Sequence, residues 1–306
     1  GLQLHGVLKG DLKRTIRKIN DIQLSTLGAC GDVNRNVTCS AHPSESALHA
    51  EVFTYADKIS TMALPRTRAY YEIWLNEEPL AEKLAEEDPL YQDRYLPRKF
   101  KIGIAIPPDN DVDVMSNDIG LIAIEENGKL AGFNIAVGGG LGTTHGNEAT
   151  YPRLATVIGF VAGEEKVLKA VYEVITIQRN HGDRTDRKMS RLKYTLDRMG
   201  VDAFKAELER RTGFALQPAR PFAFTQRKDH FGWNENHEGR WYYTAFVETG
   251  RVKDDTVATL NSALYEIADT GKANFRFTCN QNIIIADVQK EDKPLIEEIL
   301  GKHQVV

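Results

Sequence analysis

The stretch that decides the fold is Tyr95–Asp111, "YLPRKFKIGIAIPPDND". Three cations, Arg98, Lys99 and Lys101, crowd the mouth of an apolar run. Side chains alternate faces along a strand. Arg98, Phe100, Ile102, Ile104 and Ile106 therefore share one face, and Lys99, Lys101, Gly103 and Ala105 share the other. The first face is apolar beyond its arginine. The second carries two ammonium groups and then only the smallest residues. An edge strand guarded against aggregation by lysines would explain the charges. The isoleucines argue instead for a buried strand whose lysines face something negative, with Gly103 and Ala105 making room for it.

Composition bounds what that negative partner is. The chain has 306 residues, 42% of them hydrophobic and 27% charged, which is the profile of a globular protein with more than one domain. The net charge of -4 gives no global reason to expect nucleic acid or an acidic membrane. No apolar run approaches bilayer length, so no membrane span is expected. Cys30, Cys39 and Cys279 are scattered, with no C-x-x-C pair. That argues against a disulfide framework and against a self-contained zinc or iron–sulfur site, so no metal ligand is assigned, and a reducing compartment is expected. The chain opens on Gly1, and "GLQLHG" already reads as a strand. We therefore expect a chain that starts inside a domain; a tag-derived glycine is the alternative.

Periodicity predicts strands at 2–7, 67–75, 100–106, 119–124, 130–137, near 241–247 and at 274–285. It predicts helices at 11–20, 43–63, 164–178, 186–198, 202–211, 256–268 and near 292–301. Asn127-Gly128 marks a hairpin. Residues 76–89 read as an acidic surface excursion, and 216–224, with two prolines, as a linker. Residues 2–19 and 283–300 share a pattern of apolar strand, polar loop and amphipathic helix, which reads as an internal repeat or as two instances of a common strand–loop–helix unit. The fold class is α/β (α+β).

Three further segments carry cations or glycines. In "GDVNRNVTC" (31–39), Arg35 lies between Asn34 and Asn36, which could hold a guanidinium rigidly towards an oxyanion; a surface-loop arginine is the plainer reading. In "VGGGLGTTHGN" (137–147), glycines follow a strand-like run, but no helix opens where a dinucleotide fingerprint needs one. Repeated glycines still permit close backbone approach by something large and flat. "RNHGDRTDRKMSRLK" (179–193) sets six cations against two aspartates, either a positive patch or a helix with internal ion pairs. Together these read as one site for a polyanion plus a small anion, because desolvated carboxylates demand cationic partners.

At this point the residues resemble a known family. "CGDVNRNVTCSAHP", "LPRTRAYYEIWL", "YLPRKFKIGIAIPPDNDVDV", "NDIG", "NGKLAGFNIAVGGGLGTTHGN", "IQRNHGDRTDRKMSRLKYTLDRMG" and "FKAELERRTG" are similar to the sirohaem-dependent sulfite reductase haemoproteins of the nitrite/sulfite reductase family, over essentially the whole chain. The resemblance implies a pseudo-twofold fold. Residues 1–30 would end the first ferredoxin-like half, 31–215 would form the sirohaem- and substrate-binding α/β domain, and 216–306 the second ferredoxin-like half. It implies six-electron reduction of sulfite to sulfide at sirohaem coupled to a [4Fe–4S] cluster, with Arg35, Lys99 and Lys101 around the substrate. Gln3, His5, Arg98, Gly138, Gly139, Gly140, Arg179 and Arg184 would contact the cofactor. The family's cluster cysteines match none of Cys30, Cys39 or Cys279 and are expected beyond this chain, which alone would be inactive. The electron donor would be a ferredoxin or a flavoprotein reductase, with "STLGACGDVNRNV" leaning towards ferredoxin. The location would be cytoplasmic, or a plastid in a plant or alga. A sirohaem nitrite reductase, which carries an amide in place of Lys101, is the nearest rival. A non-catalytic tetrapyrrole-binding fragment is the other.

Overall fold

The computed structural model describes residues 1–42, 45–66, 74–75, 78–79, 88–227 and 229–305. In chain order the strands begin with β1 (Asn34–Thr38), β2 (Trp74–Leu75), β3 (Glu78–Pro79), β4 (Phe100–Ala105), β5 (Ile119–Glu126), β6 (Lys129–Val137) and β7 (Thr156–Val161). β2 and β3 form a small antiparallel pair. The other five make one sheet, in the order β1-β4-β5-β6-β7. β1, β4 and β5 run parallel, while β6 and β7 return antiparallel. The β5–β6 hairpin turns on Asn127 (φ 55°) and Gly128 (φ 76°), the two positive φ values that a tight two-residue turn needs.

The tyrosine-to-aspartate stretch lies where its alternation requires. Phe100, Ile102 and Ile104 are buried in one apolar cluster with Val52 and Ile59 of helix α2 (Ala47–Ala63) and Val167, Val171 and Val174 of helix α3 (Glu164–His181). Ala105, on the opposite face, is buried against Val112, Val114 and Ile122. A parallel strand covered on both faces is the usual arrangement of an α/β sheet. Ser46 caps α2 by accepting from the His49 N–H, and Leu48, Val52, Ala56, Ile59 and Ala63 form its buried stripe. Helices α4 (Leu192–Met199) and α5 (Val201–Thr212) complete this layer.

The second sheet comprises β8 (Gly232–Glu235), β9 (Trp241–Ala245), β10 (Asn274–Phe277) and β11 (Ile283–Val288), antiparallel throughout and ordered β10-β11-β9-β8. Helices α6 (Leu260–Thr270) and α7 (Lys293–Lys302) cover it, and Ile267, Ile283, Ile285, Val288, Ile296 and Ile299 form a core separate from the first. Among the described residues no helix is long and apolar enough to cross a membrane.

Several elements differ from their sequence reading. Residues 2–7 form no strand: no described strand offers them a ladder, and Leu2 and Leu4 stay exposed. Helix α1 (Leu12–Asp21) does form, so only half of the internal echo takes the shape of 283–300. The single strand expected at 274–285 is a hairpin, because Thr278–Asn282 turn back on themselves. The helix expected at 186–198 breaks before α4, where Arg191 is extended (φ -78°, ψ 155°) and the Gln178 amide takes the Ser190 carbonyl. The supposed linker is strapped to the sheet: Phe160 and Gln217 exchange backbone hydrogen bonds, and the Asn134 amide bonds both backbone groups of Arg220. The predicted strands do not include β7, although its "TVIGFV" is rich in β-branched and aromatic residues, or β8, whose "GWNE" is short and polar. Pro43, Ser44, most of 67–75 and most of 76–89 lie outside the described residues.

Candidate functional site

β1 lies beside β4 with Asn34 opposite Phe100 and Asn36 opposite Lys101, and the register slips between the two asparagines. Arg35 therefore sits in a bulge, a device that re-aims a side chain. Its guanidinium is not clamped by the flanking amides. Its Nε donates to the Gly31 carbonyl at 3.2 Å, while Asn34 is buried and its Oδ1 has no partner among the described residues.

Lys99 is the centre of the cluster. Its ammonium is made more acidic than usual first by burial, then by Arg191, Lys101, Arg35 and Arg98. Four cations from three segments are thus gathered around one lysine. Among the described residues, the side chains of Arg98, Lys99 and Lys101 form no ion pair or hydrogen bond, and Arg35 has no carboxylate partner. Like charges held together repel unless an anion completes them, and among the described residues Asp118 is the one carboxylate bound to the group.

Asp118 braces the cluster from behind. It is fully buried, and its Oδ2 accepts the Lys101 backbone N–H at 3.0 Å. Arg191 binds it bidentately, Nε to Oδ1 at 3.1 Å and Nη2 to Oδ2 at 2.9 Å. Burial pushes the Asp118 carboxyl up, and the Arg191 contacts oppose that shift. The Asp118 and Asn117 carbonyls take the N–H groups of Gly138 and Gly139. The glycine run is thereby tied to the cation strand, and Gly140 passes close to Arg191.

The small-residue floor is not open. A Cβ on Gly103 would lie 2.6 Å from the Asn117 Nδ2, so the Asn117 amide fills the space that the sequence left for a ligand. Gly139 lacks a side chain because the backbone of Met115 and Asn117 packs against it, and Gly138 (φ 78°) faces Leu196. The N–H of Gly140 is also used, by the Arg153 carbonyl. Buried Lys193 donates to the carbonyls of Gly140, Gly142 and Tyr151, and so fixes the rest of that loop.

The other expected cofactor residues lie elsewhere. Arg179 is buried and donates to the Leu90 carbonyl; Arg184 donates to the carbonyls of Arg94, Tyr95 and Arg179. Both hold the turn that leads into Arg98. Gln3 and His5 lie in the exposed N-terminal segment, with no hydrogen bond or ion pair to the cluster. Arg191, Asp118 and Lys193 were not singled out from sequence as site residues. Arg191 and Lys193 were legible only as members of a basic run, and Asp118 only as part of "NDIG".

A cavity of about 480 Å³ is lined among others by Gly31, Asp32, Tyr95, Pro97, Arg184 and Arg187, and none of Arg35, Arg98, Lys99, Lys101 or Arg191 lines it. No group of three or more His, Cys, Asp or Glu side chains among the described residues could hold a metal ion. Cys30, Cys39 and Cys279 are unpaired.

Comparison with known proteins gives the lineage. The family described as "Nitrite and sulphite reductase 4Fe-4S domain" matches residues 54–216, a stretch without cysteine. The "Nitrite/Sulfite reductase ferredoxin-like half domain" matches 234–303. A "Sulfite reductase [NADPH] hemoprotein beta-component" of Leptospira biflexa is 59% identical over 304 residues, covering 99% of this chain and 55% of that protein. One of the same description from Myxococcus xanthus is 52% identical over 98% of this chain and 53% of its own length. The chain thus spans about half the length of the curated relatives it matches. In fold it is similar to the Mycobacterium tuberculosis NirA protein, with a TM-score of 0.72 at 24% identity over 96% of this chain and 48% of that one. A family match over more than half the residues, on a chain whose α/β fold agrees, places this protein in the nitrite and sulphite reductase family.

Proposed function

We propose that this chain is the sirohaem- and substrate-holding part of a sulfite reductase, in which sulfite is reduced to sulfide by six electrons. The observation that carries the reading is the convergence of Arg35, Arg98, Lys101 and Arg191 on Lys99, with Asp118 the one carboxylate bound to the group among the described residues. Arg35, Arg98, Lys99 and Lys101, none of which forms an ion pair with a carboxylate among the described residues, suit the acidic periphery of sirohaem and a small oxyanion beside it. The same residues do not suit an iron–sulfur cluster, which needs cysteine thiolates at suitable spacing. No step is assigned to a cluster here. Its ligands would come from outside the matched 54–216 stretch.

Sirohaem, when bound, supplies the redox centre. Arg35, Lys99 and Lys101 are assigned to the substrate oxygens. Each oxygen lost from sulfite leaves as water and needs protons. Lysine can release one and arginine cannot, so Lys99, already more acidic than usual, is the best-placed donor. Arg98 is assigned to the cofactor carboxylates. Arg179 and Arg184 act by holding the 90–95 segment, Gly139 by letting the backbone of Met115 and Asn117 approach, and Gly138 and Gly140 are assigned to the cofactor on the resemblance. Gln3 and His5 are assigned to the cofactor on the resemblance alone. We divide the chain at 31–215, containing the cluster, and 216–306, the ferredoxin-like half; the two separate cores support this.

The donor we infer is an NADPH-linked reductase subunit rather than ferredoxin, because the relatives' names carry NADPH and describe a beta-component. A cytoplasmic site accords with three free cysteines and bacterial relatives. The test is sulfide release by the sirohaem-loaded holoenzyme. Replacing both Lys99 and Lys101 with Gln should abolish it while an absorption spectrum still reports bound cofactor. Undiminished sulfide production by that variant would overturn the reading.

A further inference from the structure

The proposed reading leaves Asp118, a buried carboxylate beside the cation cluster, without a task. Asp118 lies fully inside, is itself assigned to neither substrate nor cofactor, and yet organises three segments. One carboxylate takes the Lys101 N–H on β4 and both donors of Arg191 on the loop before α4, while its own carbonyl takes the Gly138 N–H. The extended backbone at Arg191 is anchored on each side, by Gln178 through Ser190 and by Lys193 through Gly140.

We propose that Asp118 is a positioning residue: its carboxylate aims the Arg191 guanidinium into the cation cluster and fixes the Lys101 strand beside it. This rests on the anion-site reading above and adds a residue to it. The groups facing Asp118 are Arg191 and Lys101, with Lys193 behind. Those facing Lys99 are Arg191, Lys101, Arg35 and Arg98, with no carboxylate among them. Asp118 therefore supports the cluster through geometry, by way of Arg191 and the Lys101 strand.

The sign of the effect makes this testable. A carboxylate merely near an anion site repels the anion. Removing it without misplacing anything should tighten anion binding. A positioning carboxylate gives the opposite result. Asp118→Asn keeps the shape, loses the charge and weakens the bidentate grip on Arg191. With sulfite titrated into the full chain by calorimetry, we expect affinity to fall about tenfold, although the site gains net positive charge. Arg191→Lys should fall similarly, and the double variant should add little, as expected for residues acting as one unit.

A second readout needs no ligand. The pH dependence of Lys99 acetylation, followed by mass spectrometry, should move to higher pH in Asp118→Asn, because an Arg191 no longer aimed into the cluster ceases to depress the ammonium. In Asp118→Glu it should move the same way and sulfite affinity should fall, since the longer side chain changes the reach that places Arg191 beside Lys99. A purely structural role would not move Lys99 titration in a folded variant. Unchanged or tighter sulfite binding in Asp118→Asn overturns the proposal. So does an unshifted Lys99, or, should Asp118→Asn fail to fold, an Asp118→Glu variant with wild-type affinity. If the wild-type chain binds no sulfite while Lys99 still shifts, the anion-site reading fails and the positioning claim for the cations survives.

Discussion

The amide of Asn117 occupies the space beside Gly103, where a Cβ would come within 2.6 Å of Nδ2. Asn117 is itself buried and donates to the Asp113 carbonyl at 3.2 Å, so its amide cannot swing away without cost. Gly103→Ala should therefore lower stability by about 1–3 kcal/mol, the usual penalty for overpacking. Gly139→Ala should cost more, because there the obstacle is backbone. Chemical denaturation of the two variants checks the order, and a Gly103→Ala protein as stable as wild type would contradict it.

The same pair shows how far the sequence could be read. Alternation along 98–106 correctly separated the core face from the lysine face, because strand geometry permits no other arrangement. The hairpin at Asn127-Gly128 and the stripe of α2 were legible for the same local reasons. The purpose of Gly103 was not. A missing side chain looks the same whether a ligand or another part of the chain fills the gap, and Asn117 is fourteen residues away. Arg35 was likewise recognised as special, but its bulge and its bond to Gly31 depend on pairing with β4. Asp118 had no signal of its own, since its importance comes from Arg191, far along the chain.

His42 gives a pH dependence. It packs against Tyr242 of β9, with ring centroids 4.3 Å apart, where the loop after β1 meets the second sheet. Burial pushes its pKa down from 6.5 to about 4. Between those values the unfolded chain takes up a proton that the folded chain refuses. The contribution of His42 to stability is therefore complete above about pH 6.5 and is lost as pH falls towards 4, with a slope of at most about 1.4 kcal/mol per pH unit. Denaturant midpoints across this range should fall less steeply in His42→Gln than in wild type.

Lys101 should discriminate between substrates in the holoenzyme. Sulfite can carry two negative charges on a compact head and nitrite only one. Lys101→Asn should cost sulfite reduction about 2–5 kcal/mol, by analogy with truncating one member of a close charge pair, and nitrite reduction less. The amide cannot supply a proton, so turnover should fall as well as apparent affinity. Steady-state kinetics on both substrates at equal sirohaem occupancy checks this. Equal losses would mean that Lys101 supports the site without selecting the anion.

Lys193 should act on loop order more than on charge. Lys193→Met removes the donor to the carbonyls of Gly140, Gly142 and Tyr151 and leaves one buried and two part-buried acceptors unpaired. A loss of about 2–4 kcal/mol is expected. Hydrogen exchange should accelerate across 138–151 while β4 and α3 keep their protection.

The most direct measurement of the central claim is equilibrium binding of sulfite to this chain, with and without the two strand lysines. We predict one saturable site that weakens as ionic strength rises. Its affinity should fall at least about tenfold when Lys99 and Lys101 are both replaced by Gln, as loss of close charge partners implies. Absence of binding in the wild-type chain, or binding that survives the double replacement unchanged, would contradict the account.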